Sequence, residues 1–252
     1  MPADTHVHLL GHRDRPATPE NIRLFLDAAA RRGLALIGFT DHEEYLEDMR
    51  PDLLRAAARE YPGLRVLVGA ELDYRPGEEN RIREALRRHD FDFCIGSVHD
   101  LAGRAVDRTP EEAASLALPP DELYSRYFAC VAQAAASGLF TVLGHIDLVK
   151  IFGVRPEAPV EELAAPALDA IAAAGCAIEL NTNGRYKPVG EWYPSPPLLK
   201  AAVRRNIPVT TGSDAHAPEQ VGREIEAAAA ALEELGARRP EFCFKRTGKE
   251  RI

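Results

Sequence analysis

Seven of the eight histidines lie just beyond short apolar runs, most of them near carboxylates. The first two are in the segment His6-Val7-His8. Side chains alternate across a strand, so in an extended segment these two imidazoles point to one face and can share a metal ion. The alternative is a set of buried polar residues that line a barrel. Unpaired buried imidazoles are costly, however, and their repetition favours metal ligands.

The other candidate ligands recur at equivalent places along the chain. They are His12, His42, Glu71, His99, His145, Asp214 and His216. Nitrogen and oxygen donors without thiolates suit divalent ions such as Zn, Mn or Fe, and they do not choose among these metals. About nine ligands exceed the need of one tetrahedral site, so we expect two or three ions with Glu71 as a bridge. Clustered divalent ions bind phosphate, activate water and stabilise a leaving alkoxide.

Three cations, Lys150, Arg185 and Lys187, follow two of the same apolar runs. Each is either a solvated surface residue or a contact for a phosphate group, and their grouping favours phosphate. The sequence contains no GxGxxG and no GxxxxGK[ST] pattern. Nucleotide-cofactor chemistry therefore finds no support.

The elements that must position these residues alternate along the chain. Short apolar runs bounded by turn residues predict buried parallel strands near Val7 and at 34–39, 64–68, 91–98, 140–143, 176–180 and 207–211. Helical patterns follow at 18–33, 51–61, 78–89, 160–175, 195–203 and 221–236. Thr18 is expected to cap the first helix and Asp121 an extra helix after residue 120. Seven strand–helix units predict a barrel-like α/β domain, with an open doubly wound sheet as the alternative.

Composition excludes several other classes of protein. The chain has 252 residues and a formal net charge of −8, so no overall basic field favours nucleic acid. No apolar stretch approaches the roughly 20 residues that span a bilayer, and the N-terminus has no signal pattern. Four widely spaced cysteines exclude a zinc ribbon and disfavour a disulfide scaffold. We therefore expect a single cytoplasmic domain over 1–252, with a loop-plus-helix insertion at 100–138 near the active face and a tail at 240–252, where residues 242–244 could contact the barrel.

The ordered series of motifs resembles the PHP (polymerase and histidinol phosphatase) superfamily. The series comprises HVH at 6–8, TDH at 40–42, Glu71, SVH at 97–99, GHID at 144–147 and GSDAH at 212–216. Longer segments at 91–99, 144–150, 179–188 and 192–195 resemble its histidinol-phosphatase members. The resemblance implies a distorted seven-stranded (β/α)7 TIM-like barrel, the PHP fold, carrying three metals.

The same resemblance implies a ligand set for each metal. The first metal would take His6, His8, Glu71 and Asp214, the second would share Glu71 and add His99 and His145, and the third would use His12, His42 and His216. In many histidinol-phosphatases the third histidine lies farther along the first loop, whereas here His12 is only four residues beyond His8. Either the shortened loop still brings His12 to the metal or the third site is weaker. Because His42 and His216 remain, we expect His12 to be a ligand.

The implied activity is hydrolysis of L-histidinol phosphate to L-histidinol and phosphate, in histidine biosynthesis. A metal-bound hydroxide would attack phosphorus, and Arg185, with Lys150 or Lys187, would hold the phosphate. Asp100 or Glu191 are candidates for the substrate's ammonium or imidazole group, and the proton donor to the leaving group is not identified. The alternatives are a PHP phosphoesterase for nucleotides, nucleic-acid ends or phosphotyrosine, and a metal-binding module without turnover. We expect a small phosphorylated substrate and neither a nucleic-acid nor a membrane partner, and the sequence predicts no oligomeric state.

Overall fold

Seven parallel strands form one sheet within residues 2–241, which the computed structural model describes. They are β1 (Ala3–Val7), β2 (Leu36–Phe39), β3 (Arg65–Asp73), β4 (Phe93–Ser97), β7 (Val142–Leu143), β8 (Ala177–Asn181) and β9 (Val209–Gly212), and neighbours in the sheet follow chain order. A separate antiparallel hairpin consists of β5 (Asp100–Leu101) and β6 (Arg104–Ala105).

The two outer strands, β1 and β9, approach each other and nearly close the sheet. Val7, the last residue of β1, forms a parallel bridge with Ala215, just after β9, and Thr5 Oγ1 donates to the Thr211 carbonyl at 3.1 Å. The predicted seven-stranded barrel is therefore confirmed, and the open doubly wound sheet is not found.

Side chains of the strands fill the interior of the barrel. Phe93 packs with other apolar residues of the strands: Leu36, Leu67, Ile95, Val142 and Ala177. Its ring requires glycine on two neighbouring strands, because a Cβ would lie 2.8 Å from it at Gly38 and 2.9 Å at Gly69. A closed interior leaves the carboxyl ends of the strands as the place for a site.

Helices cover the outer face of the sheet. They are α1 (Pro19–Arg31), α2 (Pro51–Ala57), α3 (Glu79–Arg88), α4 (Pro110–Ala114), α5 (Pro120–Ala136), α6 (Val160–Leu163), α7 (Ala165–Ala174), α8 (Pro196–Arg204) and α9 (Ile225–Glu234). The predicted cap of α1 is confirmed, since Thr18 accepts a hydrogen bond from the Asn21 N–H. None of the helices in residues 2–241 is both long enough and apolar enough to cross a membrane.

Three helices begin or break differently from the sequence pattern. The single helix predicted over 160–175 is divided at Ala164 into α6 and α7. Pro166 explains the break, because it lacks an N–H and its ring clashes with the carbonyl four residues earlier. Asp121 does not cap α5, which begins at Pro120; its carboxylate instead accepts the Glu157 N–H at 2.7 Å.

The last helix begins at Ile225 rather than at Val221. Gly222 has a φ of +71°, outside the helical region, and its N–H donates to Asp4 Oδ2 at 2.7 Å. This bond ties the segment before α9 to β1. The aromatic part of the predicted tail, at 242–244, lies outside the described residues.

Candidate metal centre

Glu71, near the carboxyl end of β3, is the hub of the candidate ligands. Its Oε1 lies 3.0 Å from His145 Nε2 and 3.4 Å from His99 Nε2. Its Oε2 lies 2.9 Å from His42 Nδ1 and 3.5 Å from His6 Nε2. The residue is 1% exposed, so both oxygens face imidazoles rather than water. This one carboxylate is placed to serve two neighbouring ions.

Asp214, just after β9, provides a second carboxylate to the site. Its Oδ1 lies 3.2 Å from His8 Nε2 and 3.8 Å from His6 Nε2. His216 Nδ1 is 3.6 Å from the same oxygen. The backbone of Asp214 has a φ of +51°, a conformation that aspartate tolerates better than most residues. That turn directs Asp214 and His216 into one cluster.

The ligand atoms form three overlapping groups, and within each group all of them lie within 4.8 Å of one another. The groups are His6, His8 and Glu71; Glu71, His99 and His145; and His8, His42 and His216. His8 and Glu71 each belong to two groups, so ions held by the groups would be neighbours.

Several buried atoms of these groups make no hydrogen bond of good geometry, although other ligand atoms lie 2.9–3.5 Å from them. They include the Nε2 atoms of His6 and His8, together with Glu71 Oε2. A buried polar atom without a partner costs about 1–3 kcal/mol, so convergence of three such atoms needs a compensating interaction. Imidazole nitrogen and carboxylate oxygen are donors for divalent transition ions. The residues present therefore fit the implied metals.

The charges of two carboxylates and one imidazole match this chemistry. Burial opposes ionisation of Glu71, but its histidine neighbours hold the pKa of the carboxyl well below its usual value. The pKa of Asp214 is likewise lowered against burial, chiefly by His6 and His8. Burial, with His42 and His216 nearby, lowers the pKa of His8 well below its usual value. Two carboxylates and a neutral imidazole are the forms that bind metal. Against burial, Glu179 raises the pKa of His6 and Glu71 that of His99 well above the usual value, so a bound ion would displace a proton from each.

Two further carboxylates orient the imidazoles from outside. Glu179 on β8 lies 2.8 Å from His6 Nδ1 and accepts the His145 N–H at 3.1 Å. Asp73, at the end of β3, lies 2.7 Å from His99 Nδ1. The contacts with His6 and His99 leave Nε2 of each ring directed at the cluster, whereas the bond to His145 involves its backbone N–H. This role of Glu179 and Asp73 is not predicted from the sequence, although a glutamate within the apolar run of β8 is a signal for the first.

Asp4 holds the exit of β9 against β1. Its carboxylate accepts the Ser213 N–H at 2.8 Å and the Ser213 hydroxyl at 2.5 Å, besides the Gly222 N–H. Burial raises the pKa of Asp4 to about 6, although these hydrogen bonds act in the other direction. The residue before Asp214 is thereby fixed to the strand that carries His6 and His8.

His12 lies beside the third group but is not part of it. Its ring centroid is 4.6 Å from that of His216 and 5.5 Å from that of His42. Unlike the other candidate histidines, it is exposed to solvent. The short loop after His8 thus brings His12 to the edge of the cluster.

The three predicted phosphate cations occupy different environments. Lys150 is 1% exposed, and its Nζ lies 2.9 Å from Asp147 Oδ2 and 2.7 Å from Glu191 Oε1. Arg185 lies over the Trp192 ring, with its guanidinium carbon 5.7 Å from the centroid. Lys187, by contrast, lines the cavity above the cluster.

That cavity has a volume of about 570 Å³ and a rim of both charges. The candidate ligands His12, His42, Glu71, His99, His145, Asp214 and His216 line it. Basic residues on its wall are Arg75, Arg108 and Lys187, and acidic ones include Asp100 and Asp107. Glu191, the other candidate for the substrate's cationic groups, is bonded to Lys150 and Arg155 instead. A small molecule with groups of both charges would suit this space.

Known proteins match the chain along most of its length. The sequence profile of the PHP domain matches residues 4–183, and the PHP-associated profile matches residues 199–225. The probable histidinol-phosphatase of Deinococcus radiodurans is 37% identical over 260 residues, which cover 95% of each chain. The histidinol-phosphatase of Bacillus subtilis is 26% identical over 263 residues, covering 86% of this chain and 96% of its own.

A solved structure has the same fold. The histidinol phosphate phosphatase of Lactococcus lactis, complexed with Zn, L-histidinol and phosphate, superposes with a TM-score of 0.77 at 22% identity and 99% coverage of both chains. The profile match covers well over half of the sequence, and the Deinococcus relative spans nearly all of it. The chain therefore belongs to the PHP domain family.

Proposed function

We propose that the protein is a metal-dependent phosphomonoester hydrolase that converts L-histidinol phosphate and water to L-histidinol and phosphate. The observation that carries the proposal is the set of three ligand groups, two of them sharing Glu71, beneath a cavity of about 570 Å³. The histidinol-phosphatase names of the relatives support the substrate.

The proposed centre holds two or three divalent ions, Zn, Mn or Fe. The ligands would be His6, His8, His12, His42, Glu71, His99, His145, Asp214 and His216. When bound, such ions polarise phosphoryl oxygens and lower the pKa of water towards neutrality. Glu179 and Asp73 would keep His6 and His99 in the tautomer that presents Nε2.

The cavity wall would bind the two ends of the substrate separately. Lys187 is the predicted cation with the best support for the phosphate, because it lines the cavity. Arg108 lines the same cavity and could add charge. Asp100 and Asp107 would face the ammonium or imidazole group of the substrate, because a negative carboxylate complements a positively charged group. The Nζ of Lys150 is bound by two carboxylates, so its proposed role is to hold the 191–195 segment in place.

Release of phosphate from L-histidinol phosphate by protein loaded with Zn, Mn or Fe tests the activity. Nucleoside monophosphates, phosphotyrosine and a 5′-phosphorylated oligonucleotide serve as competing substrates, and the Glu71→Gln variant controls for a contaminating phosphatase. We expect histidinol phosphate to have the highest kcat/KM. Preferred turnover of another phosphoester, or no turnover with all three metals, would reject the assignment.

We further propose a small-molecule substrate and a cytoplasmic location. A small substrate suits the net charge of −8, which gives no overall attraction to nucleic acid. A cytoplasmic location, expected from the sequence, is tested by fractionation of the native source.

A further inference from the structure

Arg15 connects the loop after β1 to the loop after β9. Its Nη1 donates to the Leu9 carbonyl at 3.0 Å and to the His216 carbonyl at 2.8 Å. The guanidinium carbon also lies 5.5 Å from the centroid of the Phe25 ring on α1. One partly buried side chain thus holds two segments that each carry a candidate ligand of the third group.

The turn within the loop after β1 closes tightly on Arg15. Gly11 has a φ of +59°, and a Cβ there would lie 2.6 Å from Asp14 Oδ2, 3.1 Å from Arg15 Nη1 and 3.3 Å from the His216 carbonyl oxygen. The same Asp14 oxygen accepts the His12 N–H at 3.3 Å. The turn that carries His12 is therefore built directly against the backbone of His216.

His216 is fixed from both sides of its backbone. Its N–H donates to Gln220 Oε1 at 2.8 Å, while Arg15 binds its carbonyl. The ring then lies with Nε2 3.4 Å from His42 Nε2. Metal–nitrogen bonds of about 2.0–2.1 Å leave little tolerance for drift of either ring.

We propose that Arg15 is a positioning residue for the third ion, setting the distance between His216 and the His12 turn. It offsets the short spacing between His8 and His12, because it draws the turn onto the β9 exit. The inference rests on the metal centre of the proposed function, and it concerns ion binding rather than the choice of substrate. Arginine suits the role since its planar guanidinium binds two carbonyls and stacks on a ring, which the single ammonium of lysine does less well.

The test counts bound ions in Arg15→Met and Arg15→Lys, with Arg23→Met as the control. Arg23 is a surface residue of α1 paired with Glu60, so the control removes the same charge without touching either loop. Each protein is dialysed against graded free Zn, its ions per chain are measured by plasma mass spectrometry, and its thermal unfolding is recorded.

We expect Arg15→Met to weaken the weakest binding step by about 10–100-fold, the usual effect of losing an outer-shell partner, while the tighter steps stay within threefold. Arg15→Lys should fall between Arg15→Met and wild type, and Arg23→Met should match wild type. If Arg15→Met does not fold, selective loss of the weakest step in Arg15→Lys supports the proposal. The proposal is overturned by unchanged binding in both variants, by equal weakening of every step, or by a wild-type protein that binds only two ions. A protein that passes this test without hydrolysing histidinol phosphate would refute only the proposed substrate.

Discussion

Replacement of Glu179 by glutamine tests whether an outer carboxylate orients the metal ligands. Glu179 is fully buried, and its carboxylate accepts three hydrogen bonds. The donors are His6 Nδ1 at 2.8 Å, the backbone N–H of His145 at 3.1 Å and Asn181 Nδ2 at 3.1 Å. Glutamine keeps the size of the side chain but has only one acceptor oxygen, with two lone pairs. At least one of the three donors therefore loses its partner.

Two effects of different size follow. A buried donor without a partner costs about 1–3 kcal/mol of folding stability. Loss of an outer partner of a metal-binding imidazole lowers metal affinity by about 10–100-fold, which corresponds to about 1.4–2.7 kcal/mol. We expect metal-free Glu179→Gln to unfold at a lower urea concentration than the wild type. We also expect the variant to bind the ion at His6 more weakly.

Competition against a chelating dye measures the affinity, and urea unfolding of the metal-free protein measures the stability. Glu162→Gln, on an exposed position of α6, controls for the loss of one negative charge. If Glu179→Gln binds metal as tightly as the Glu162→Gln control, Glu179 does not orient His6, and the role assigned to it is wrong.

Three other predictions concern the centre and its support. Glu71→Gln should lower metal affinity by more than the roughly 100-fold expected of an outer-shell change, because two ligand groups share this carboxylate. Ions per chain and the rate of phosphate release measure the loss. Lys150→Met should destabilise the fold by about 3–5 kcal/mol in urea unfolding, since it removes the counter-ion of buried Asp147, which would retain only neutral donors such as the Ser195 N–H. Exposed Lys200→Met is the control, and an equal loss there would contradict the assignment. Chelation should lower the free energy of unfolding by about 2.7 kcal/mol for each ion present at 100 times its dissociation constant, or about 5–10 °C in Tm; calorimetry before and after metal return should show a reversible shift, and an unchanged Tm would argue against ion binding.

The arrangement of the strand ends could be predicted from sequence because it follows from topology. Parallel strands in a barrel bring their carboxyl ends to one mouth. Glu71, 65 positions after His6, and Asp214, 208 positions after it, therefore meet the same two histidines, His6 and His8. The apolar runs identify the strands, and the residues that follow them identify the site. Neither step needs a side-chain conformation.

Features that depend on which partner a side chain finds could not be predicted in this way. Lys150 lies near the mouth in sequence, yet Glu191, from 41 positions away, takes its ammonium group out of the cavity. Nothing in the sequence around Arg15 predicts that it contacts the loop after β9, because its partner His216 lies 201 positions along the chain. The break between α6 and α7 is a local effect of Pro166, which the apolar pattern of 160–175 hides.

The near closure of β1 onto β9 also determines when the centre can exist. Thr5 and Thr211, which join these strands, are 206 positions apart. Contacts this distant form late, because the entropy of closing so long a loop must be overcome before they contribute. A chain still being synthesised cannot bring His6 to Asp214 until β9 has been made. Ions bound there act on the completed barrel, and they should slow its unfolding while leaving its rate of folding unchanged.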